Sequence, residues 1–203
     1  MSDAREFDII LYGATGYTGR LVAEHLLKTY GASGDLAWTM AGRSAEKLAE
    51  VRDLIGAPKG LPLVAADASD ATSLAAMAKR AKVIITTVGP YQLYGDSLVA
   101  ACAEAGTDYV DLTGESHWIA RMIAANEAKA KASGARVVFS CGFDSIPFDL
   151  GVYFLEEQAK ARFGAPVSRV RGRVRGMAGG LSGGTLASGM ATMAAAQADP
   201  SLG

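Results

Sequence analysis

Short apolar runs alternate with amphipathic stretches along most of this chain. Phe7, Ile9, Ile10, Leu11 and Tyr12 make one nearly unbroken apolar run, and Lys82-Val83-Ile84-Ile85-Thr86-Thr87-Val88 makes another. Such runs suit strands covered on both faces of a parallel sheet. Residues 36–41, 61–66, 109–112 and 136–140 read as four further strands. Between them, apolar positions three and four apart predict helices over 18–30, 44–55, 72–80, 94–105 and 115–130, with Gly31, Gly106 and Gly134 as stops. In the first helix Leu21, Val22, His25, Leu26 and Tyr30 share the predicted inner face, His25 at its edge. A helix over 147–163 follows, with Pro147 in its first turn and Ser145 as cap.

Six strands alternating with helices predict an α/β doubly wound parallel sheet, a Rossmann dinucleotide-binding fold. The pattern changes after residue 146. Arg169, Arg171, Arg173 and Arg175 occupy every second position of 168–175, one face of a predicted strand. That face is either solvated or a grip on an anionic substrate tail or partner. Residues 176–203 are glycine-rich, then Ala- and Met-rich with helical spacing. One strand and one helix cannot bury their own apolar faces, so a second α/β domain is expected to begin here. The expected division is a cofactor-binding domain over 1–146, then a linker helix and the beginning of an incomplete substrate or dimerisation domain over 147–203. Apolar surface left uncovered by a half-built domain favours a homodimer.

The richest stretch is Gly13-Ala14-Thr15-Gly16-Tyr17-Thr18-Gly19, between the first strand and the first helix. A buried strand, a glycine-rich turn and a helix start present backbone N–H groups and a positive helix end to a phosphate. Gly13, Ala14, Thr15, Gly16, Tyr17 and Gly19 are therefore candidate cofactor contacts. The spacing is G-x-x-G-x-x-G rather than G-x-G-x-x-G.

The second strand ends at Gly42-Arg43-Ser44. A carboxylate at this position would take the ribose 2′-hydroxyl of NAD, whereas a basic residue accommodates the 2′-phosphate of NADP. Arg43 offers a charged fork and Ser44 a hydroxyl, so NADP(H) is expected; otherwise Arg43 merely precedes a helix from a solvated position. Asp67, after the third strand, either contacts the adenine edge or helps cap the next helix with Ser69 and Asp70. Val88, Gly89 and Pro90, after the fourth strand, are expected beside the nicotinamide.

Acid–base chemistry has few candidates. Tyr91, Glu115 and Asp144 are the residues from which a proton donor could come, with His117 beside Glu115. Glu115 and Ser116 more readily begin a helix, and Asp144 and Ser145 have a structural reason to stand before another, with Ser145 as its cap. Cys102 reads as a small core residue, and Cys141 stands at a strand exit with no histidine nearby in sequence to activate it.

Composition narrows the picture. Half of the 203 residues are hydrophobic, enough for one good core and part of a second, and the formal net charge is -1. No global field draws the chain to nucleic acid or anionic lipid, and the arginine stretch lacks interleaved aromatics to stack bases. Two cysteines make neither a disulfide framework nor a zinc-ligand spacing, so no metal is expected. Met1-Ser2-Asp3-Ala4-Arg5-Glu6 lacks signal-peptide character, and no apolar run approaches the roughly 20 residues of a membrane span. A cytoplasmic protein is expected.

The ordered set Gly13 to Gly19, Ala41-Gly42-Arg43, Val88-Gly89-Pro90-Tyr91, Gly106-Thr107-Asp108-Tyr109-Val110-Asp111, Cys141-Gly142-Phe143-Asp144-Ser145-Ile146-Pro147 and Gly183-Gly184-Thr185 resembles the saccharopine dehydrogenase-like oxidoreductases. The nearest branch is that of actinobacterial trans-acting enoyl reductases of lipid synthesis. The resemblance implies a cofactor domain followed by an α/β substrate and dimer domain in a longer protein. It implies NADPH-dependent reduction of a C=C or C=N bond in a small-molecule or acyl substrate. The alternative is a non-catalytic NADP(H)-binding or scaffolding module that partners a lipid synthase.

Overall fold

The computed structural model describes residues 5–199. The first four residues of the polar N-terminal stretch and the last four of the Ala/Met-rich stretch lie outside them. β1 (Phe7–Tyr12) leads into α1 (Tyr17–Tyr30), β2 (Trp38–Gly42) into α2 (Ala45–Leu54), and β3 (Leu63–Ala65) into α3 (Ala71–Ala78). β4 (Ala81–Thr86) leads into the single turn α4 (Tyr91–Tyr94) and then α5 (Asp96–Ala105), and β5 (Asp108–Val110) into α6 (Ser116–Ser133). β6 (Val137–Val138), α7 (Ile146–Phe163) and α8 (Gly183–Ala198) complete the described chain.

The six strands are parallel, in the order β3-β2-β1-β4-β5-β6. Side chains alternate across β1. Ile10 and Tyr12 join Leu74, Met77, Val99, Cys102 and Trp118 of α3, α5 and α6 in one core. Leu11 joins Ala23, Leu26, Met40 and Leu48 of α1, β2 and α2 in the other. Covering both faces is what allows the strands to be apolar throughout. Burial pushes the Cys102 thiol up, as suits a packing residue.

Three local expectations change. α1 buries Gly19, Ala23 and Leu26, while Leu21, His25 and Tyr30 are exposed. The helix lies so close to the turn before it that only small residues fit inside: a Cβ on Gly19 would stand 2.1 Å from the Gly13 carbonyl oxygen. The predicted helix over 94–105 begins at Asp96, and a separate turn, α4, precedes it; the two part at Gly95, where a Cβ would meet the Trp118 ring at 2.4 Å. The predicted strand over 168–175 is absent, and its arginines are exposed along an irregular segment. Alternation in sequence supplies the faces of a strand but not the neighbouring edge that must take its hydrogen bonds.

α7 and α8 lean little on the rest. Only Ala159 of α7 is buried and no residue of α8 is, leaving Tyr153, Phe154, Phe163, Leu186, Met190 and Met193 exposed. Among the described residues no helix is long and apolar enough to cross a membrane.

Candidate functional site

The strand order reverses at β1, which pairs with β2 on one side and β4 on the other. Ligands of doubly wound sheets lie beyond the strand ends at such a switch point. Here the two strand exits are stitched together. Thr87 N–H donates to the Tyr12 carbonyl at 3.0 Å, Thr87 Oγ1 donates to the Gly13 carbonyl at 3.2 Å, and Gly13 N–H donates to the Ala41 carbonyl at 2.9 Å. Gly13 turns with φ +92°, and a Cβ on it would come within 2.7 Å of Thr87 Oγ1 and Val88 Cγ2. Glycine is required there on both grounds.

Gly16 is a glycine for a different reason. It is the N-cap of α1 with φ −79° and ψ 166°, a conformation open to any residue, and a Cβ would find no protein atom nearer than 3.4 Å. What its missing side chain leaves open is the approach to the first turn of α1. That turn has no side-chain cap and no acidic residue, so its N–H groups and positive end face the cleft uncompensated. This donor set fits the pyrophosphate of a dinucleotide.

A cleft of about 430 Å³ opens above the turn. Of the residues singled out in sequence, Gly13, Thr15, Gly16, Tyr17, Gly19, Arg43, Asp67, Val88 and Gly89 line it together. Ala14 does not: it is wholly buried beneath the turn among Leu26, Met40 and Leu48. Ser44 does not either, because its side chain caps α2, accepting from Lys47 N–H at 3.2 Å and donating to Glu46 at 2.8 Å. Pro90 is buried as the N-cap of α4, beyond a cis Gly89–Pro90 bond.

Arg43 is exposed at the mouth, and its charge helps hold the Asp67 carboxyl below the usual range. The larger causes are the backbone N–H and hydroxyl of Ser69, which donate to Asp67 Oδ1 at 2.9 and 2.8 Å. Asp67 thus orders its own turn, while Asp70 caps α3 through Thr72 N–H at 2.9 Å. Tyr12, at the cleft floor, has its hydroxyl pushed up to about 12 by burial, with the Asp67 charge adding to the effect.

The three acid–base candidates are placed elsewhere. Tyr91 is buried, its hydroxyl donating to the Thr86 carbonyl at 3.2 Å, and burial pushes its pKa far up. Glu115 is buried and spends both carboxylate oxygens on backbone N–H groups of α4. Asp144 is exposed on the loop before α7, and neither it nor His117 lines the cleft. Cys141 sits at the β6 exit with its thiol pushed up chiefly by burial, so it is no activated nucleophile.

The cleft also holds residues that the sequence did not single out as cofactor contacts: Tyr12, Thr18, Gly42, Ala68, Ser69, Thr87, Tyr94, Ser182 and Gly184. Tyr12 and Thr87 flank the two strand exits, a position that could have been counted forward from either run. Ser182 and Gly184 arrive with α8, which meets the α4 region through Gln92 Nε2 donating to Thr192 Oγ1 at 3.4 Å. Gly183-Gly184-Thr185 was visible as a motif, but nothing local says that it returns to the first strand's turn.

The family model for the saccharopine dehydrogenase NADP-binding domain matches residues 9–138. The chain is 53% identical over 154 residues to a trans-acting enoyl reductase of Mycobacterium leprae, covering 75% of this chain and 36% of that protein. It is 54% identical over 153 residues to a trans-acting enoyl reductase of Mycobacterium bovis, covering 74% and 36%. The matched part therefore spans little more than a third of the curated relatives' length. Among solved structures, apo saccharopine dehydrogenase (L-Glu forming) from Saccharomyces cerevisiae superimposes with a TM-score of 0.58 at 20% identity, over 76% of this chain and 32% of that one. That likeness concerns the fold alone.

Proposed function

The chain belongs to the saccharopine dehydrogenase NADP-binding domain family, and we propose that it forms the NADP(H)-holding part of an oxidoreductase that reduces the C=C bond of an enoyl substrate. The observation that carries this reading is the pairing of an uncapped α1 start with Arg43 at the end of β2, on one cleft. The first takes a pyrophosphate and the second a 2′-phosphate. When bound, the cofactor supplies hydride; the protein holds and orients it.

Gly13, Thr15, Gly16, Tyr17 and Gly19 approach the pyrophosphate in this reading, Arg43 the 2′-phosphate, Asp67 and Ser69 the adenosine side, and Val88 and Gly89 the nicotinamide side. The choice of an enoyl bond rests on the relatives' names, and an acyl carrier of that bond goes with it. In the same reading residues 147–203 open the substrate and dimerisation part, in a cytoplasmic protein. The exposed apolar residues of α7 and α8 support a further partner surface.

The deciding experiment is a titration with NADPH and NADH, wild type against Arg43→Ala. Wild type prefers NADPH, and the substitution weakens NADPH by about ten- to a hundredfold while leaving NADH unchanged. An unchanged NADPH constant overturns the assignment of Arg43.

A further inference from the structure

Two helix starts converge on one buried carboxylate. Glu115 is the N-cap residue of α6, yet its side chain makes no cap bond to that helix. It reaches to α4 instead, where Oε1 accepts the Tyr91 N–H at 2.9 Å and Oε2 accepts the Gln92 N–H at 2.8 Å. Glu115 is only 3% exposed. A carboxylate survives such burial where donors and positive potential replace its water. The two N–H groups of α4 supply the donors, and the positive end of α6 adds potential. The arrangement serves α4 as well, because its own N-cap is Pro90 and brings no side-chain acceptor.

What precedes α4 is the wall of the cleft. Val88 and Gly89 line it, and the short loop that carries them is fixed at both ends. At its start Thr87 is bonded to the β1 exit through Tyr12. At its end the anchor is Glu115. The Tyr91 ring packs on Trp118 with centroids 5.5 Å apart, which holds α4 laterally but does not set where its first N–H groups point.

We propose that Glu115 is a positioning residue: by gripping the first two N–H groups of α4 it fixes the Val88–Gly89 wall against which the nicotinamide half of NADP(H) lies. It transfers no proton, since both oxygens are engaged away from the cleft. The inference rests on the NADP(H) reading of the cleft and adds a residue that touches no part of the cofactor.

The test compares two ligands that share one half. NADPH fills both halves of the cleft, whereas 2′,5′-ADP fills only the half between the α1 start and Arg43. Calorimetric titration of the wild-type chain, Glu115→Gln and Glu115→Asp with each ligand separates the two halves. Glu115→Gln keeps one acceptor but turns an amide N–H₂ toward the other backbone donor; NADPH then binds about tenfold more weakly and 2′,5′-ADP as in wild type. Glu115→Asp keeps the charge on a shorter stem and recovers part of the loss. Should the Gln variant not fold, the ratio of the two ligands' losses in the Asp variant decides alone. Equal weakening of both ligands, or of neither, overturns the proposal. Wild type that binds neither ligand overturns the NADP(H) reading itself, an outcome distinct from a failure of Glu115.

Discussion

The Tyr109 hydroxyl donates to Asp111 Oδ2 at 2.8 Å, and both residues are buried at the carboxyl end of β5. Asp111 Oδ1 also accepts Ser140 N–H at 2.8 Å and Thr113 N–H at 3.1 Å. The carboxylate thereby holds Ser140 at φ +59°, a left-handed conformation that a non-glycine residue adopts only when its surroundings fix it. Despite these bonds, burial raises the Asp111 pKa above the usual carboxylate range, with Glu115 adding to the rise.

A raised carboxyl pKa has a definite sign in stability. The folded protein binds the proton more tightly than the unfolded chain, so this group's contribution is full below the unfolded pKa and is lost as pH rises through the folded one. The stability of wild type relative to Asp111→Asn should therefore fall as pH climbs out of the ordinary carboxylate range, then stay level. Urea unfolding of both proteins between about pH 4 and pH 8 gives that difference directly. A difference that grows with pH would mean that the hydrogen bonds outweigh burial at this site.

Gly16 and Gly19 separate packing from binding. A Cβ on Gly19 collides with the Gly13 backbone at 2.1 Å, whereas on Gly16 it meets nothing nearer than 3.4 Å. Gly19→Ala should destabilise the protein by about 1–3 kcal/mol or more, since backbone rather than a flexible side chain must give way. Gly16→Ala should leave the urea midpoint within about 0.5 kcal/mol of wild type. It should nonetheless weaken NADPH about tenfold, its methyl standing where the proposed reading puts the pyrophosphate. Loss of stability in Gly16→Ala would return that glycine to a structural role.

The first strand, the glycine turn and the second strand's exit were legible in sequence because each states its physics locally. An apolar run needs two covering layers, and a glycine needs either a positive φ or a close approach. The inner face of α1 was not legible, because closeness to the turn selects Gly19 and Ala23, which hydrophobic spacing does not favour over Leu21 and Tyr30. Ser44 and Glu115 show a different limit. Their residue types suit ligand contact and helix capping equally; what decides is a backbone N–H, for Ser44 that of Lys47 three residues on, and for Glu115 those of another helix. The return of Ser182 and Gly184 to the cleft is a property of the chain's path rather than of any segment.

Tyr94 is the tyrosine to test for proton donation. Tyr91 was one of three candidates in the sequence, but it is 3% exposed with its hydroxyl held by the Thr86 carbonyl. Tyr94, three residues on at the end of the same short helix, lines the cleft and is 48% exposed. In the proposed enoyl reduction hydride goes to one carbon and a proton to the other, and any side chain that donates this proton has to reach the cleft. If the protein reduces an enoyl bond as proposed, Tyr94→Phe should lower its NADPH-dependent turnover of an enoyl thioester by about 10²- to 10⁴-fold. Its NADPH affinity should stay within about twofold of wild type, because that change removes no contact from the phosphate end. Tyr91→Phe should behave the other way round, costing about 1 kcal/mol of stability through the lost bond to Thr86 and little turnover. Steady-state kinetics and thermal unfolding of the two variants side by side decide the matter. Wild-type turnover in Tyr94→Phe would leave the proton to come from solvent or from the substrate's own carrier.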